Sequence, residues 1–408
     1  MIGLCTTVNT IYNIKQTSSK NKDYDFEQWL SGFIDAEGNF QVAVERDKYV
    51  RLMFRINLHI DDVGVLKEIQ NYLKVGYVET HKHSCTFVIR KTKDIITVLL
   101  PILENNTLRT TKYFDYVDFR RVAYMIEKKS RSEHLDISLV TKISKAINSK
   151  RDSVDISQIP ATVINISWLI GFIEGEGTFG FKSLTPYFQI GQHVRNKHVL
   201  VDTSVFLESL DSLFTYSTNR PGIKISHTVN RLTNVLVISN SNVDWLFDVL
   251  AHHFLNCTFR TRKGTDFYYW CIALYMQKYG YCYSTVGRNL AVSIANYINK
   301  SRYSTATNNV TVPVIDIAFL TSILPVKLTP TISHLELSKE FAKIQKGRVI
   351  WVYDNQVIVK GSPFTTIAAA SESIGLSRTS ITVRRYLDTG KLYINRYIFR
   401  TTASSFLF

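Results

Sequence analysis

WLSGFIDAEGNF at residues 29–40 returns as WLIGFIEGEGTF at 168–179, and the reading of this pair decides the fold. In each copy an apolar run carries small residues four apart, Gly32 and Ala36 in the first, Gly171 and Gly175 in the second. On a helix, residues four apart share one face, and a stripe of small side chains lets two backbones approach closely. The two stretches are therefore expected to be helices packed against each other. Each is expected to end at a glycine, Gly38 or Gly177, in the left-handed conformation common just past a helix end.

Two further echoes follow in the same order. FRINLHIDDVGVL from Phe54 matches FQIGQHVRNKHVL from Phe188, which aligns His59 with His193 and Asp62 with Asn196. LRTTKYFDYVDF from Leu108 matches FRTRKGTDFYYW from Phe259, which aligns Arg109 with Arg260, Lys112 with Lys263 and Asp115 with Asp266. Three echoes in one order, with spacings that drift only by loop lengths, identify residues 25–148 and 163–303 as two copies of one fold. The polar, proline-marked stretch SKRDSVDISQIPAT (149–162) reads as the linker between them, and residues 1–24 as an N-terminal arm of unassigned role.

Within the first copy, Arg51 to Ile60 alternates, with Leu52, Phe54, Ile56 and Leu58 on one face and Arg51, Arg55, Asn57 and His59 on the other. This is the period of a half-buried strand. The second copy repeats the pattern with Phe188 and Ile190 inward, Tyr187, Gln189 and His193 outward, and a further alternating run at 224–230. Helical patterns follow at Asp61 to Leu73 and Asn196 to Leu210, and longer ones close the copies at Lys112 to Lys128 and Asp266 to Lys278. The fold class is α+β.

Lys and Arg number 49 against 34 Asp and Glu, a net charge of +15, and the sequence pI is near 9.4, which suits a polyanionic partner. No apolar run approaches the roughly 20 residues of a membrane-spanning helix, so no membrane partner is expected. The five cysteines show neither zinc-ligand spacing nor a paired framework and read as reduced. The His81/His83 and His252/His253 pairs lack acidic or cysteine partners at ligand spacing and are assigned no chemistry.

Chemistry is expected where each opening helix ends in paired acids, Asp35 and Glu37 in one copy, Glu174 and Glu176 in the other. The helix dipole disfavours negative charge there. If the small-residue stripes meet, carboxylates from both copies converge, and a hard divalent cation is the natural guest between them. Carboxylate-bound cations support phosphodiester hydrolysis. Lys112 and Lys263 are candidates to stabilise charge on the phosphate or to polarise water.

With these residues in view, LSGFIDAEG and LIGFIEGEG resemble the two signature helices of single-chain LAGLIDADG homing endonucleases, the fungal organellar intron-encoded type above all. The resemblance covers roughly residues 25–300. It implies two pseudo-symmetric αββαββα half-domains with saddle-shaped antiparallel sheets, and cleavage of both strands of a long double-stranded DNA site by a monomer. It further implies Glu37 and Glu176 as catalytic residues and ligands of magnesium, with the backbone carbonyls of Ala36 and Gly175 nearby. Lys112 and Lys263 match the family's basic pocket by local motif. The outward residues Arg51, Arg55, Asn57, His59, Gln189, His193, Arg195, Lys224 and Asn230 become candidate DNA contacts. Glutamate stands where the eponymous motif has its last aspartate, and the carboxylate is preserved.

After a polar linker at 304–345, residues 346–404 form a separate small module. Thr366 to Ile374, a turn at 375–377 and Arg378 to Leu387 read as a helix-turn-helix. This stretch resembles the nuclease-associated modular DNA-binding repeats, with Arg378, Arg384 and Arg385 as candidate DNA contacts. A location in the mitochondrion is implied by the family resemblance alone, and the richness in Asn, Ile, Lys and Tyr accords with the AT-rich genomes of organelles. A splicing maturase, with host intron RNA as partner, is the alternative of a different class, either alone or combined with the nuclease. A transcriptional regulator would have no use for paired signature helices.

Overall fold

A computed structural model describes residues 25–129, 135–148, 151, 153–182, 184–213, 226–230, 234–299, 303–305, 312–313 and 349–401. The N-terminal arm and Lys224 lie outside the described residues, and Asn230 is described as backbone only. Chain contacts divide the protein into two compact units, one up to Val326 and one from Lys327.

In the first unit, helix α1 (Phe26–Glu37) leads directly into the hairpin β1 (Gly38–Glu45) and β2 (Tyr49–His59). Helix α2 (Val63–Leu73), β3 (Tyr77–Thr80) and β4 (Ser84–Ile89) follow, then short helical turns from Thr92 to Asn105, α3 (Lys112–Lys128) and α4 (Ile137–Ala146). The second copy repeats the plan with α5 (Ile166–Glu176), β5 (Gly177–Lys182), β6 (Thr185–His193), α6 (Lys197–Ser209), β7 (Ser226–Asn230), β8 (Val235–Asn240), α7 (Lys263–Lys278) and α8 (Thr285–Tyr297). The two four-stranded sheets share one strand order, β1-β2-β4-β3 and β5-β6-β8-β7, with every pairing antiparallel.

The halves are joined at α1 and α5. A Cβ built on Gly32 would lie 2.0 Å from the Trp168 carbonyl oxygen, and one on Gly171 would lie 2.0 Å from that of Trp29. No residue larger than glycine fits either place, so the small-residue stripes do bring the backbones into contact. Asp25 caps α1 by accepting from the backbone N–H groups of Glu27 and Gln28, and Asn165 caps α5 by accepting from Trp168 N–H. One apolar cluster runs through both halves, from Trp29, Phe33, Phe54 and Phe119 to Trp168, Phe172, Phe188 and Trp270.

The glycines ending α1 and α5 correct an expectation. Gly38 (φ −67°, ψ 148°) and Gly177 (φ −79°, ψ 154°) are extended, not left-handed, because each helix passes straight into a strand. Close approach explains them instead: a Cβ on Gly38 would lie 2.6 Å from Ile34 Cγ2, and one on Gly177 would lie 2.6 Å from Ile173 Cγ2.

In the second unit an antiparallel sheet of order β10-β9-β11 is formed by β9 (Trp351–Asp354), β10 (Val357–Ile358) and β11 (Tyr397–Arg400). It packs with α9 (Ile367–Glu372) and α10 (Thr382–Tyr386) around Ile350, Val352, Ala370, Val383 and Phe399. Both helices are shorter than the helix-turn-helix reading expects. Ser377 Oγ and Ser380 Oγ accept from the backbone N–H groups of Thr379 and Thr382, local bonds that compete with helix formation. Arg378 accordingly lies in the turn, 3.5 Å from Glu372, while Arg384 and Arg385 are exposed on α10.

Candidate active site

The paired acids that end each signature helix do not act as a pair. Residues two apart on a helix point in nearly opposite directions, and the structure separates them accordingly. Asp35 and Glu174 turn inward and are buried, whereas Glu37 and Glu176 are half-buried at the shared end of α1 and α5. The expectation that all four carboxylates converge is corrected to two.

Asp35 accepts from the backbone N–H groups of Arg109 (2.8 Å) and Thr110 (3.0 Å), from Thr110 Oγ1 (2.7 Å), and from Trp168 Nε1 (3.1 Å) on the opposite helix. Glu174 repeats the arrangement with Arg260 N–H (2.6 Å), Thr261 N–H (2.6 Å), Thr261 Oγ1 (2.9 Å) and Trp29 Nε1 (2.6 Å). The first acid of each motif is thus a fastener. It ties its helix to the Arg-Thr loop of its own half and to the tryptophan of the other half. The loop arginines complete the seam, Arg109 lying 5.1 Å from the Trp168 ring and Arg260 5.1 Å from the Trp29 ring. This explains the RT echo in the sequence.

The second acids, Glu37 and Glu176, stand where the helix ends meet. A Cβ on Gly175 would lie 2.5 Å from Ala36 Cβ and 2.9 Å from Glu37 Oε1, so the two helix ends touch where Glu37 and Glu176 stand. Burial raises the Glu37 carboxyl above its ordinary value, opposed by the ammonium groups of Lys112 and Lys263 and reinforced by Asp62. Burial also raises Glu176, which is opposed by a hydrogen bond from Gln192 and reinforced by the charge of Glu37. Both lysines recur at matching places. Lys112 Nζ donates to the carbonyls of Ile34 (3.0 Å) and Ala36 (3.1 Å), and Lys263 Nζ to that of Gly177 (2.6 Å), where cations complement the helix ends. A cleft of about 380 Å³ opens on the Glu37 and Lys263 side of the junction, lined also by Asp62, His83, Glu174, Gly175 and Tyr303.

Of the residues expected to face DNA, Arg51, Arg55 and Asn57 are exposed along β2, opposite the buried Leu52, Phe54 and Ile56. Arg51 pairs with Glu45 at 3.0 Å, Arg55 Nε donates to Asn39 Oδ1 at 3.1 Å, and Asn57 accepts from Thr86 Oγ1 at 2.8 Å. Gln189 and Arg195 are half-buried, and Asn230 ends β7 opposite Val235. His59 and His193 have a local structural role besides the expected one. Each accepts from a backbone N–H two residues on, Asp61 and Arg195 respectively, capping the short turn that leads into α2 or α6. The histidine echo is in the first place a cap.

Gln192 and Asp62 belong to the site and carried no assignment from sequence. Gln192 is a polar residue at an inward position of β6, buried, where the first copy has Leu58. A polar residue at a position where the alternation demands an apolar one is a readable signal.

Two sheets hung from one tight helix pair, with one half-buried acid from each helix at the shared end, define the two-motif class of LAGLIDADG folds. The family model described as LAGLIDADG endonuclease matches residues 30–123. The chain's solved neighbours include the I-GzeII LAGLIDADG homing endonuclease in complex with its DNA target, with a TM-score of 0.57 and 22% identity over 69% of this chain and 100% of that one. They also include the I-CpaMI LAGLIDADG meganuclease bound to uncleaved DNA, with a TM-score of 0.56, 21% identity and the same coverage. An uncharacterized mitochondrial protein, RF1, of Saccharomyces cerevisiae is 25% identical over 98% of this chain and 87% of its own length. A probable intron-encoded endonuclease, Cox1-I1b, of Schizosaccharomyces pombe is 27% identical over 63% of this chain and 66% of its own length.

Proposed function

We propose that the protein is a site-specific DNA endonuclease of the intron-homing type, hydrolysing both strands of a long double-stranded site. The observation that carries the reading is the meeting of Glu37 and Glu176 at one helix junction, with Lys112 and Lys263 beside them, in a protein whose strand β2 exposes Arg51 and Arg55. The donor set of carboxylate oxygens and nearby backbone carbonyls suits a hard divalent cation, and magnesium is the one proposed. Glu37 and Glu176 would hold it, with the carbonyls of Ala36 and Gly175 close by. When bound, such an ion would supply polarisation of the scissile phosphate and a lower pKa for attacking water. Lys112 and Lys263 would place positive charge beside the scissile phosphate. Arg51, Arg55, Asn57 and Gln189 supply groove and phosphate contacts, with Arg195 toward the backbone.

The halves come from one chain, so a monomer suffices for cutting both strands. Arg384 and Arg385 of the second unit would hold DNA beside the site. A mitochondrial location is proposed from the yeast relative that is named as mitochondrial. The test is magnesium-dependent cleavage of a library of intronless host alleles, comparing the protein with its Glu37→Gln and Glu176→Gln variants. Discrete double-strand cuts that vanish in both variants support the reading. Cuts that persist in either one, or a protein that never cuts, overturn it.

A further inference from the structure

The two lysines of the site are supported differently, and the difference is traceable to single residues. Arg262, the residue before Lys263, is gripped from the other half of the protein. Its backbone N–H donates to Asp62 Oδ1 at 2.7 Å, and its Nη1 pairs with Asp61 Oδ2 at 2.7 Å. The same Asp61 accepts from Ser304 N–H and Ser304 Oγ, both at 2.7 Å, and these contacts hold its carboxyl below the usual range although burial opposes them. Tyr303 closes the cluster, with its ring 4.3 Å from His59 and 5.9 Å from the Arg262 guanidinium carbon.

The mirror position keeps only the backbone part. Asn196 Oδ1, at the place of Asp62, accepts from Thr111 N–H at 2.9 Å, just before Lys112. Arg195 stands where the first copy has Asp61, and Thr111 where the second has Arg262, so this side has no corresponding ion pair. Duplication supplied the backbone clasp twice, and the charged clasp exists once.

We infer that Arg262 is a positioning residue for Lys263, clamped from the other half by Asp61 in the short turn after strand β2, and that Lys112 has no such dependence. The inference rests on the endonuclease reading above. A reacting centre misplaced by about an ångström loses up to a hundredfold in rate, so loosening the clamp acts on the strand whose cut uses Lys263.

The experiment is single-turnover cleavage of a duplex carrying the selected target, end-labelled on either strand. It is accompanied by the Kd for that duplex in EDTA and by thermal melting. In Arg262→Ala one strand is expected to be cut about tenfold more slowly and the other within about twofold, with the EDTA Kd unchanged within about twofold. Arg262→Lys, which keeps a cation for Asp61, recovers most of the rate. Asp61→Asn, a change in the opposite half, reproduces the strand bias, and its effect does not add to that of Arg262→Ala, as expected of directly coupled groups. Thr111→Ala leaves both strands unchanged. Equal slowing of both strands, additive effects, or a loss confined to the EDTA Kd overturns the inference. Wild-type protein that cuts while the variants match it removes the inference alone; wild-type protein that cuts nothing removes the functional reading and this inference with it.

Discussion

The indole N–H of Trp29 donates to Glu174 across the helix pair at 2.6 Å, and that of Trp168 donates back to Asp35 at 3.1 Å. Each tryptophan thus reaches the buried first acid of the opposite helix. Removing one donor leaves a buried carboxyl oxygen short of a partner, which costs about 1–3 kcal/mol. Trp29→Phe and Trp168→Phe are each expected to lower stability by about that amount, measured by urea unfolding. Because the two bonds cross one interface, the double variant should depart from additivity by at least about 0.5 kcal/mol.

Burial pushes the Glu174 carboxyl up to about 7, from an ordinary 4.5, against the donors from Thr261, Trp29 and Arg260. The folded protein therefore binds this proton more tightly than the unfolded chain does. The resulting stability is complete below about pH 4.5 and is lost as pH rises through about 7, with a limiting slope of about 1.4 kcal/mol per pH unit. Glu174→Gln cannot titrate. Urea midpoints at pH 5 and pH 7.5 should fall further in the wild type than in the variant; parallel declines would refute the assignment of the slope to Glu174.

Gly171 leaves no room for a methyl group, since the nearest atom is backbone on the partner helix. Overpacking against flexible side chains typically costs about 1–3 kcal/mol, and a carbonyl on a rigid helix yields less. Gly171→Ala and Gly32→Ala are expected to lose about 3 kcal/mol or more, or to fail to accumulate as soluble protein. Gly64→Ala, where a Cβ meets nothing within 4 Å, is the control and should be neutral or slightly stabilising.

The helix pair was legible because its constraint is written twice, as small residues at a fixed spacing and as acids at the same end. The division of labour between the acids followed from elementary helix geometry: Asp35 and Glu37 differ by two positions and cannot share a face. Other features depend on contacts between distant segments, which no local pattern encodes. The Arg-Thr loops close on Asp35 and Glu174 from more than seventy residues away. His59 read as an outward strand residue because the alternation carries through it, yet its ring caps the next turn. The C-terminal helices were overestimated because the serines between them offer the backbone competing local bonds.

The two groups of arginines should separate in their salt dependence. Each phosphate contact contributes about one unit to the slope of log affinity against log salt, whereas a lost base contact costs about 1–3 kcal/mol and relaxes sequence preference at one position. Arg384 and Arg385 are exposed on a helix of only five residues, suited to backbone contact. The double variant Arg384→Ala/Arg385→Ala is therefore expected to lower the slope by about two, to weaken binding to matched and shuffled flanking DNA alike, and to leave the cut position unchanged. Arg55 projects from the centre of β2, held by Asn39 on the neighbouring strand, a geometry that fixes a side chain for base readout. Arg55→Ala should instead leave the slope within about half a unit and broaden the tolerated bases at one position of the target. Fluorescence anisotropy across a salt series, paired with cleavage of a single-substitution target library, measures both. An Arg55→Ala slope reduced by a full unit with unchanged base preference would reassign that residue to the phosphate backbone.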